Sequence, residues 1–435
     1  MDALRAGRHR LGGTAHVTYG TAVRRILLLL PSSTYRAGDF LDAATRLGVE
    51  VVIASEERQA MADRMGDRAL RVDLGDPDRA ARAIVTHARS NRIDAVIAVD
   101  DQGVVAGAQA AAALGIPHNP PDAVARTRDK VALRRALAGR VRQPDFRVAA
   151  SGDDVAALAR TVGLPCVVKP VSLSASRGVI RADTPEDAAI AAARIRRLLG
   201  CADADAEGPL LVERFVPGQE VAVEGLLRGG HLEVLAVFDK PDPLDGPYFE
   251  ETLYVTPSSK PADVVAEIER VTADAMTAVG LREGPVHAEL RVGPDGVATF
   301  LEVAARSIGG LCARALRFGL GVQLEELILR HALDLPLDTL RREPDASGVM
   351  MLPIPHAGVL RAVQGQDAAR SVPGIVGLEI TVPTGRAVAP LPEGDRYLGF
   401  LFARGQTPAD VERSLREAHR QLDVVIAAPA DQRTA

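Results

Sequence analysis

The sequence predicts an α/β protein in which an N-terminal parallel α/β domain is followed by a C-terminal β-rich α+β domain. Buried apolar runs alternate with Ala-rich helical stretches up to residue 117, prolines mark a boundary there, and strands dominate beyond residue 347. With 435 residues, of which 47% are hydrophobic, the chain has enough apolar material for about three domains. We expect a flexible leader at 1–22, domains at 23–118, 119–340 and 345–430, and a mobile lid region at 172–227.

Composition argues against several classes of partner. The net charge of −5 gives no reason to expect nucleic acid or an anionic membrane surface, and 3% aromatic residues without Trp supply few base-stacking platforms. Three dispersed cysteines without a CxxC pair predict neither a disulfide framework nor a zinc cluster, so a reducing cytoplasm is expected. The apolar run Ile26–Leu30 is too short to span a bilayer and is interpreted as a buried strand.

The N-terminal region reads as strands that alternate with helices. Strands are predicted at Ile26–Leu30, Val49–Ala54 and Asp94–Val99, and helices at Asp39–Leu47, Asp76–Ser90 and Gly103–Leu114. Because ligands of parallel sheets bind beyond the carboxyl ends of the strands, Pro31-Ser-Ser33 and Asp100-Asp101 are expected beside a crevice. Ordinary turn and N-cap chemistry would explain the same residues.

The remaining elements follow a less regular pattern. Strands are predicted at Phe146–Ala149, Leu164–Lys169, Leu210–Val212 and Glu220–Leu227, and helices at 151–162 and Ala188–Leu199. The chain is expected to close with a strand at Tyr397–Ala403, a helix at Pro408–Leu422 and a strand at Val424–Ala427.

Lysine is scarce in this sequence. The 52 basic residues include only four lysines, which are Lys130, Lys169, Lys240 and Lys260. A position that keeps lysine is therefore a candidate for a role that needs a compact ammonium group. The context of Lys130 and Lys169 favours such a role, whereas Lys260 in a Ser-Ser-Lys-Pro loop is interpreted as an ordinary surface residue.

Residues 286–302 predict a β-hairpin with two carboxylates on one face. If residue 292 opposes residue 297, His287 faces Glu302, and Glu289 lies on the same side as both. Carboxylate oxygens in this arrangement suit Mg²⁺ or Mn²⁺ that carries a nucleotide phosphate. The alternative is an exposed hairpin with two solvated glutamates.

Two further segments have weaker patterns. Lys169 is followed by the small-residue loop at 172–178, where backbone N–H groups could approach phosphate and Arg177 adds charge. This loop matches neither GxxxxGK[ST] nor GxGxxG, and surface loops are often rich in small residues. In Leu211–Glu220 a strand leads to an acid, an aromatic and an apolar residue, which suits a base and a ribose but also an ordinary strand–turn–strand.

Taken in order along the chain, these segments resemble the ATP-grasp superfamily over about residues 120–335. The resemblance rests on Arg128-Asp-Lys130, Val167-Val-Lys-Pro170, the 172–178 loop, Glu213-Arg-Phe-Val216 with Glu220, Glu289, and Glu302-Val-Ala-Ala-Arg306. Residues 245–257, the segment Glu302–Gly310 and the tail at 391–400 resemble L-amino-acid ligases and related carboxylate–amine ligases. The resemblance implies an ATP-grasp fold whose usual N-terminal domain is the preceding α/β region.

The resemblance also implies a set of site residues. It assigns ATP binding to Lys130, Lys169, Ser174, Ser176, Arg177, Gly178, Glu213, Arg214, Phe215, Val216 and Glu220. It assigns the metal to Glu289 and Glu302, catalysis to Arg306 and Lys169, and substrate contacts to His287, Glu251, Arg306, Gly309 and Gly310. One departure is Ala304, which stands where many members of the superfamily have an asparagine metal ligand.

The activity implied by the resemblance is an ADP-forming ligation that uses ATP and Mg²⁺ or Mn²⁺. A small carboxylate or amino acid would be joined to an amine through an acyl phosphate, in a cytoplasmic enzyme without nucleic-acid or membrane partners. Domains of this type often dimerise, which leaves a homodimer open. Two alternatives are a biotin-carboxylase-like carboxylation and a nucleotide-binding regulatory protein without catalysis, the latter suggested by Ala304.

Overall fold

The computed structural model describes residues 23–32, 34–57, 62–201, 205–394 and 396–428. The leader predicted at 1–22 and Ser33 of the predicted crevice lie outside the described residues. None of the described helices is both long enough and apolar enough to cross a membrane.

The N-terminal region is a four-stranded parallel sheet with strand order β3-β2-β1-β4. Its strands are β1 (Arg25–Leu29), β2 (Glu50–Ser55), β3 (Ala69–Arg71) and β4 (Ala95–Ala98). Its helices are α1 (Ala37–Leu47), α2 (Ala62–Met65), α3 (Pro77–Ala88) and α4 (Val104–Leu114). The predicted parallel sheet and its three long helices are confirmed. The sequence did not reveal β3, because its three residues are only partly buried and show no apolar run.

A second, antiparallel sheet has strand order β5-β8-β6-β7. Its strands are β5 (Phe146–Ala149), β6 (Cys166–Pro170), β7 (Ile180–Ala182) and β8 (Leu210–Arg214). Two helices, α5 (Pro121–Arg128) and α6 (Lys130–Leu137), precede this sheet, and α7 (Val155–Val162) and α8 (Pro185–Cys201) pack against it. The 172–178 loop connects β6 to β7.

The rest of the chain forms a large sheet, a small sheet and four helices. The strands are β9 (Gln219–Arg228), β10 (His231–Asp239), β11 (Leu253–Thr256), β12 (Gly284–Val292), β13 (Ala298–Ala304), β14 (Ala346–Leu352), β15 (Gly358–Gln364), β16 (Ile375–Ile380), β17 (Ala387–Val388), β18 (Gly399–Gly405) and β19 (Asp423–Ala427). The helices are α9 (Ala262–Val279), α10 (Leu324–Ala332), α11 (Gln366–Arg370) and α12 (Pro408–Arg420). The large sheet has strand order β13-β12-β9-β10-β11-β14-β18-β16, and the small sheet has strand order β17-β15-β19.

The hairpin β12–β13 has a register that differs from the predicted one. Val292 pairs with Ala298, and a bulge beside Glu289 then places Glu289 directly opposite Glu302. The predicted pairing of His287 with Glu302 is wrong, because the turn is one residue longer than expected and the bulge adds another. Both carboxylates still lie on one face of the sheet, since paired residues share a face.

The N-terminal sheet and the large sheet share one hydrophobic core. Ile26 and Phe40 from the N-terminal region belong to the same buried cluster as Phe238, Leu316 and Phe400. Packing of this kind holds the carboxyl end of β4 against the segment that follows β13, which is where the candidate site lies.

Candidate active site

Lys130 is the first residue of α6 and is almost fully buried, with 7% of its surface exposed. Asp129 caps this helix by accepting hydrogen bonds from the next two free backbone amides, 2.8 and 2.9 Å away. The Lys130 ammonium donates to the Leu173 carbonyl at 2.7 Å and lies 3.1 Å from the Glu302 carboxylate. The cap therefore fixes the position of the buried Lys130 ammonium, which contacts both the 172–178 loop and the hairpin β12–β13.

Lys169 on β6 is bound by a buried carboxylate. Its Nζ lies 2.7 Å from one oxygen of Glu213, whose other oxygen accepts from Arg134 Nε at 2.5 Å. Burial alone would raise the pKa of Glu213, but the charges of Arg134 and Lys169 lower it to about 2. Burial lowers the pKa of Lys169 in spite of its ion pair with Glu213. The neighbouring Arg214 is exposed at the end of β8.

The 172–178 loop is docked in this structure. Arg128 Nη1 donates to Ser174 Oγ at 3.0 Å, and the Gly178 amide donates to the Pro392 carbonyl at 3.3 Å. Ser176 and Gly178 both have a positive φ, of 55° and 72°, which turns the backbone sharply within a few residues. The Arg177 Nε is buried without a hydrogen-bond partner among the described residues, and an unsatisfied cationic donor of this kind suits an anionic ligand.

The predicted base-binding segment carries an aromatic ring beside two guanidinium groups. Phe215 stacks against Phe249 with 6.4 Å between ring centroids, and Arg181 and Arg291 lie 4.5 and 5.0 Å from the Phe215 ring. The Val216 carbonyl accepts from Arg291 at 3.1 Å. The contact with Arg291 holds the backbone of this segment in place, and its contact with adenine stays a prediction.

Three predicted site residues with different predicted roles meet around Lys240. The Lys240 ammonium lies 2.7 Å from Glu220 and 3.4 Å from Glu289, and it also binds Glu251. Oxygens of these three carboxylates all lie within 4.8 Å of one another, and the ammonium sits 4.9 Å from the centre of the Tyr254 ring. Burial would lower the pKa of Lys240, but the carboxylates raise it well above its ordinary value. The Lys240 ammonium therefore offsets the repulsion among the three carboxylates.

The predicted metal pair, Glu289 and Glu302, faces two different ammonium groups. Glu289 contacts Lys240, and Glu302 contacts Lys130. Burial raises the pKa of each carboxyl, but Lys240 and His287 together lower that of Glu289, and Lys130 and Lys169 together lower that of Glu302, so both carboxyls have pKa values below the ordinary range. Ionised carboxylates opposite each other on adjacent strands fit the donor chemistry of Mg²⁺ or Mn²⁺, and their role as a metal pair stays a prediction.

His287 lies between two carboxylates. Its Nδ1 is 3.2 Å from Glu224, and its Nε2 is 3.6 Å from Glu289. Burial would lower the pKa of His287, but the hydrogen bonds to Glu224 and Glu289 raise it to about 9. The fully buried Glu224 also accepts from the backbone amide of Ile308 at 3.0 Å, and it thereby joins β9 to the segment that contains Arg306.

Arg306 is held by a residue of the N-terminal region. Its Nε and Nη2 donate to the two oxygens of Asp101 at 3.0 and 2.8 Å, which is the bidentate geometry that suits a guanidinium. The ligand crevice beside Asp101 stays a prediction, and Ser32 bonds locally to Glu56. Gly309 and Gly310 follow Arg306 in a turn, where Gly310 has a φ of 58° and the Phe400 ring leaves no room for a side chain.

Sequence reasoning missed four residues of this site as functional candidates, namely Lys240, Arg134, Glu224 and Asp101 in its role toward Arg306. The scarcity of lysine pointed to Lys240, but nothing in the local pattern said what it would contact. Glu224 was detectable as a lone acid inside the apolar run of β9, on the same face as Glu220. Arg134 gave no sign, because nearly all the positively charged residues of this protein are arginines.

Three family models match consecutive parts of the chain. An ATP-grasp N-terminal domain matches residues 41–118, an ATP-grasp domain matches 162–315, and an L-amino acid ligase C-terminal domain 2 matches 350–427. Their order along the chain is that of the N-terminal sheet, the candidate site and the C-terminal strands.

Curated relatives and solved structures agree with these models. The chain is 30% identical to the formate-dependent phosphoribosylglycinamide formyltransferase of Paraburkholderia xenovorans over 356 residues, which are 76% of this chain and 80% of that protein. It is 26% identical to the alanine–anticapsin ligase of Bacillus subtilis over 275 residues, 58% of this chain and 57% of that one.

The L-amino acid ligase of Bacillus licheniformis has a similar solved structure, with a TM-score of 0.78 at 22% identity over 93% of this chain and 99% of that one. This likeness confirms the predicted fold. The family models and the relative at 30% identity establish that the chain belongs to the ATP-grasp superfamily, among the carboxylate–amine ligases that form C–N bonds and release ADP.

Proposed function

We propose that this protein joins an amino acid or another small carboxylate to an amine through an acyl phosphate, with ATP as the phosphoryl donor. The observation that carries the proposal is the grouping of Lys130, Lys169 and Arg306 around the hairpin carboxylates. Lys130 lies 3.1 Å from Glu302, the charge of Lys169 helps to lower the pKa of Glu302, and Arg306 follows Glu302 by four residues, just beyond the end of β13. A site of this kind offers three cations and two carboxylates to one phosphoryl group.

The proposed reaction has two steps. A carboxylate oxygen of the substrate attacks the γ-phosphorus of ATP, and the bond from that phosphorus to the bridging oxygen breaks to release ADP. The amine nitrogen then attacks the acyl carbon, the bond from carbon to the phosphate oxygen breaks, and the nitrogen loses a proton. The amide and inorganic phosphate are the products.

The residues of this chain meet the electrostatic demand of phosphoryl transfer. Lys130 and Lys169 would neutralise the triphosphate, and the Arg306 fork would stabilise charge on the transferring group. A divalent ion held by Glu289 and Glu302 would supply a further positive charge at the phosphates. The 172–178 loop would exclude water, which protects an acyl phosphate from hydrolysis.

The substrates are best found by a pairwise panel. Amino acids and small carboxylates, formate among them, are combined with amines and amino acids, and ADP release is measured together with mass detection of the condensed product. The proposal predicts ADP release that needs both partners and equals the product formed. ADP release with bicarbonate and free biotin, and with none of the pairs, would instead support the biotin-carboxylase-like alternative.

A second candidate is a nucleotide-binding protein without catalysis. The observation that favours it is Ala304, which ends β13 with no side-chain oxygen for a metal ion. In the same panel, saturable ATP binding without ADP formation by any pair would support this candidate and contradict the ligase.

We also infer a cytoplasmic protein, since the three cysteines are free thiols and two of them, Cys166 and Cys312, are buried. Light scattering on the purified protein would test the homodimer that the resemblance leaves open.

A further inference from the structure

We propose that Asp101 is a positioning residue that couples Arg306 to the 172–178 loop. This inference rests on the proposed roles of Arg306 and the loop in phosphoryl transfer. It assigns to the N-terminal sheet a part in the reaction beyond packing, because Asp101 follows β4 of that sheet.

The first observation is the contact between Asp101 and Arg306. Both oxygens of Asp101 are used, at 3.0 and 2.8 Å, so the guanidinium plane is fixed in orientation as well as in position. Both side chains are largely buried, with 13% and 14% exposed. An arginine with several rotatable bonds is thereby held at the cleft before any substrate is present.

The second observation is that the same carboxylate reaches the loop through Arg128. Arg128 Nη1 lies 3.5 Å from Asp101 and donates to Ser174 Oγ at 3.0 Å, while its Nη2 lies 3.4 Å from the Ser172 carbonyl. The pKa of Asp101 is held well below its ordinary range, because Arg306, Arg128 and a hydrogen bond from Ser174 outweigh burial. The Asp101 carboxylate therefore contacts two guanidinium groups. One belongs to Arg306, which has the proposed role in the reaction, and the other to Arg128, which contacts the loop.

The three partners come from three different sheets. Asp101 follows a strand of the N-terminal sheet, Arg306 follows β13 of the large sheet, and the loop joins two strands of the second sheet. Buried ion pairs contribute little net stability compared with apolar packing, but they fix geometry strongly. The arrangement therefore suits positioning: loss of the Asp101 charge frees Arg306 and Arg128 together, and the loop loses the contact at Ser174.

Limited proteolysis tests this coupling without requiring turnover. Arg177 lies inside the loop, so the rate of trypsin cleavage after Arg177 reports how often the loop opens. For Asp101→Asn we expect this rate to rise roughly tenfold, since a charge-assisted contact is replaced by a neutral one. Asp101→Glu, which restores the charge, should bring the rate back toward that of the wild type.

Two controls separate positioning from general destabilisation. Asp338→Asn removes the same charge at an exposed position without a hydrogen bond or ion pair among the described residues, and it should leave cleavage after Arg177 unchanged. Cleavage after the exposed Arg140 should be equal in all variants. Three results would overturn the proposal. Asp101→Asn could accelerate cleavage equally after Arg177 and Arg140, it could leave cleavage after Arg177 unchanged, or the control aspartate variant could accelerate that cleavage as much.

A double variant tests whether the two guanidinium contacts form one unit. Arg128→Gln should open the loop about as much as Asp101→Asn, and the double variant should add little, because each single change already breaks the same connection. Full additivity would contradict the coupling. If the substrate panel yields no product while these cleavage results hold, the ligase proposal fails and the coupling of Asp101 to the loop stands.

Discussion

Lysine side chains show most clearly how single residues organise this site. Lys130, Lys169 and Lys240 are each exposed by 7% or less, and each binds at least one carboxylate, whereas Lys260 binds Gln219 near the surface. The sequence predicted roles for the first two, because each stands beside a recognisable segment. It could not predict the contacts of Lys240, because Glu220 lies on β9, Glu289 on β12 and Glu251 in the segment before β11, and no local pattern shows that these meet.

The stability of the three-carboxylate cluster should depend on Lys240. Lys240→Met keeps the length of the side chain but leaves Glu220, Glu251 and Glu289 without their shared cation. We expect a loss of about 3–5 kcal/mol in the free energy of unfolding, as for other buried ion pairs from which one partner is removed. Urea unfolding measures this loss. The matched variant Lys260→Met should change stability by less than about 0.5 kcal/mol, and equal effects of the two would contradict the role of Lys240.

Catalysis should depend on Lys169 and Glu302. Lys169→Ala and Glu302→Ala each remove a charge at the proposed phosphoryl-transfer site, so we expect ADP release to fall by roughly 10²-fold or more while circular dichroism shows an intact fold. Lys260→Ala serves as the control and should retain full turnover. Full turnover in either site variant would show that its charge is not used in the reaction.

The ion pairs of Glu213 should make stability depend on pH in the acid range. Because the pKa of Glu213 in the folded protein is about 2, below its ordinary value of 4.5, its ionised form stabilises the fold above pH 4.5 and this contribution is lost as the pH falls toward 2. Glu213→Gln should therefore be destabilised by a constant amount between pH 5 and 7 and by less at lower pH. Chemical unfolding across this range measures the difference in the free energy of unfolding between the wild type and Glu213→Gln. A difference that widens as the pH falls would contradict the assignment.

At the scale of elements, the hairpin β12–β13 shows why the predicted strand register is wrong, although Glu289 and Glu302 lie on one face of the sheet as predicted. The longer turn shifts the pairing by one residue and the bulge shifts it by another. Side chains alternate with a period of two, so the two shifts together return Glu289 and Glu302 to the same side of the sheet. The alternation was readable from the sequence, whereas the bulge, which leaves Leu301 unpaired with β12, shows no local pattern.

The turn that connects β8 to β9 should tolerate no side chain at Gly218. Gly218 has a φ of 115°, and a Cβ there would lie 2.2 Å from the Val292 carbonyl oxygen, which belongs to a strand and cannot move away. We expect Gly218→Ala to cost about 2 kcal/mol or more. Gly229→Ala, at a φ of 60° in open space, should cost about 1 kcal/mol. Urea unfolding compares the two, and equal costs would show that the backbone contact is unimportant.

At the scale of the whole molecule, local periodicity and long-range pairing were predictable to different degrees. In the N-terminal sheet β1, β2 and β4 and the three long helices were predicted, because each has its own apolar run or periodicity, whereas β3 and α2 were not. The strand order of the large sheet was not predicted, because β11 pairs with β14 across a long stretch that contains β12 and β13. The division into domains at 119–340 and 345–430 stays a proposal, and strands from both ranges lie in this one sheet.

The continuity of the large sheet also limits how the protein can open. Hydrogen-bonded ladders run from the hairpin to β9 and β10 and from β11 to β14 and β18, and the residue pair Asp239–Val255 joins the two halves, so the Glu289–Glu302 pair and the C-terminal strands belong to one sheet. The smaller sheet at 146–214 has no such ladder to its neighbours among the described residues. We therefore propose that nucleotide binding moves the smaller sheet, while the large sheet keeps its shape.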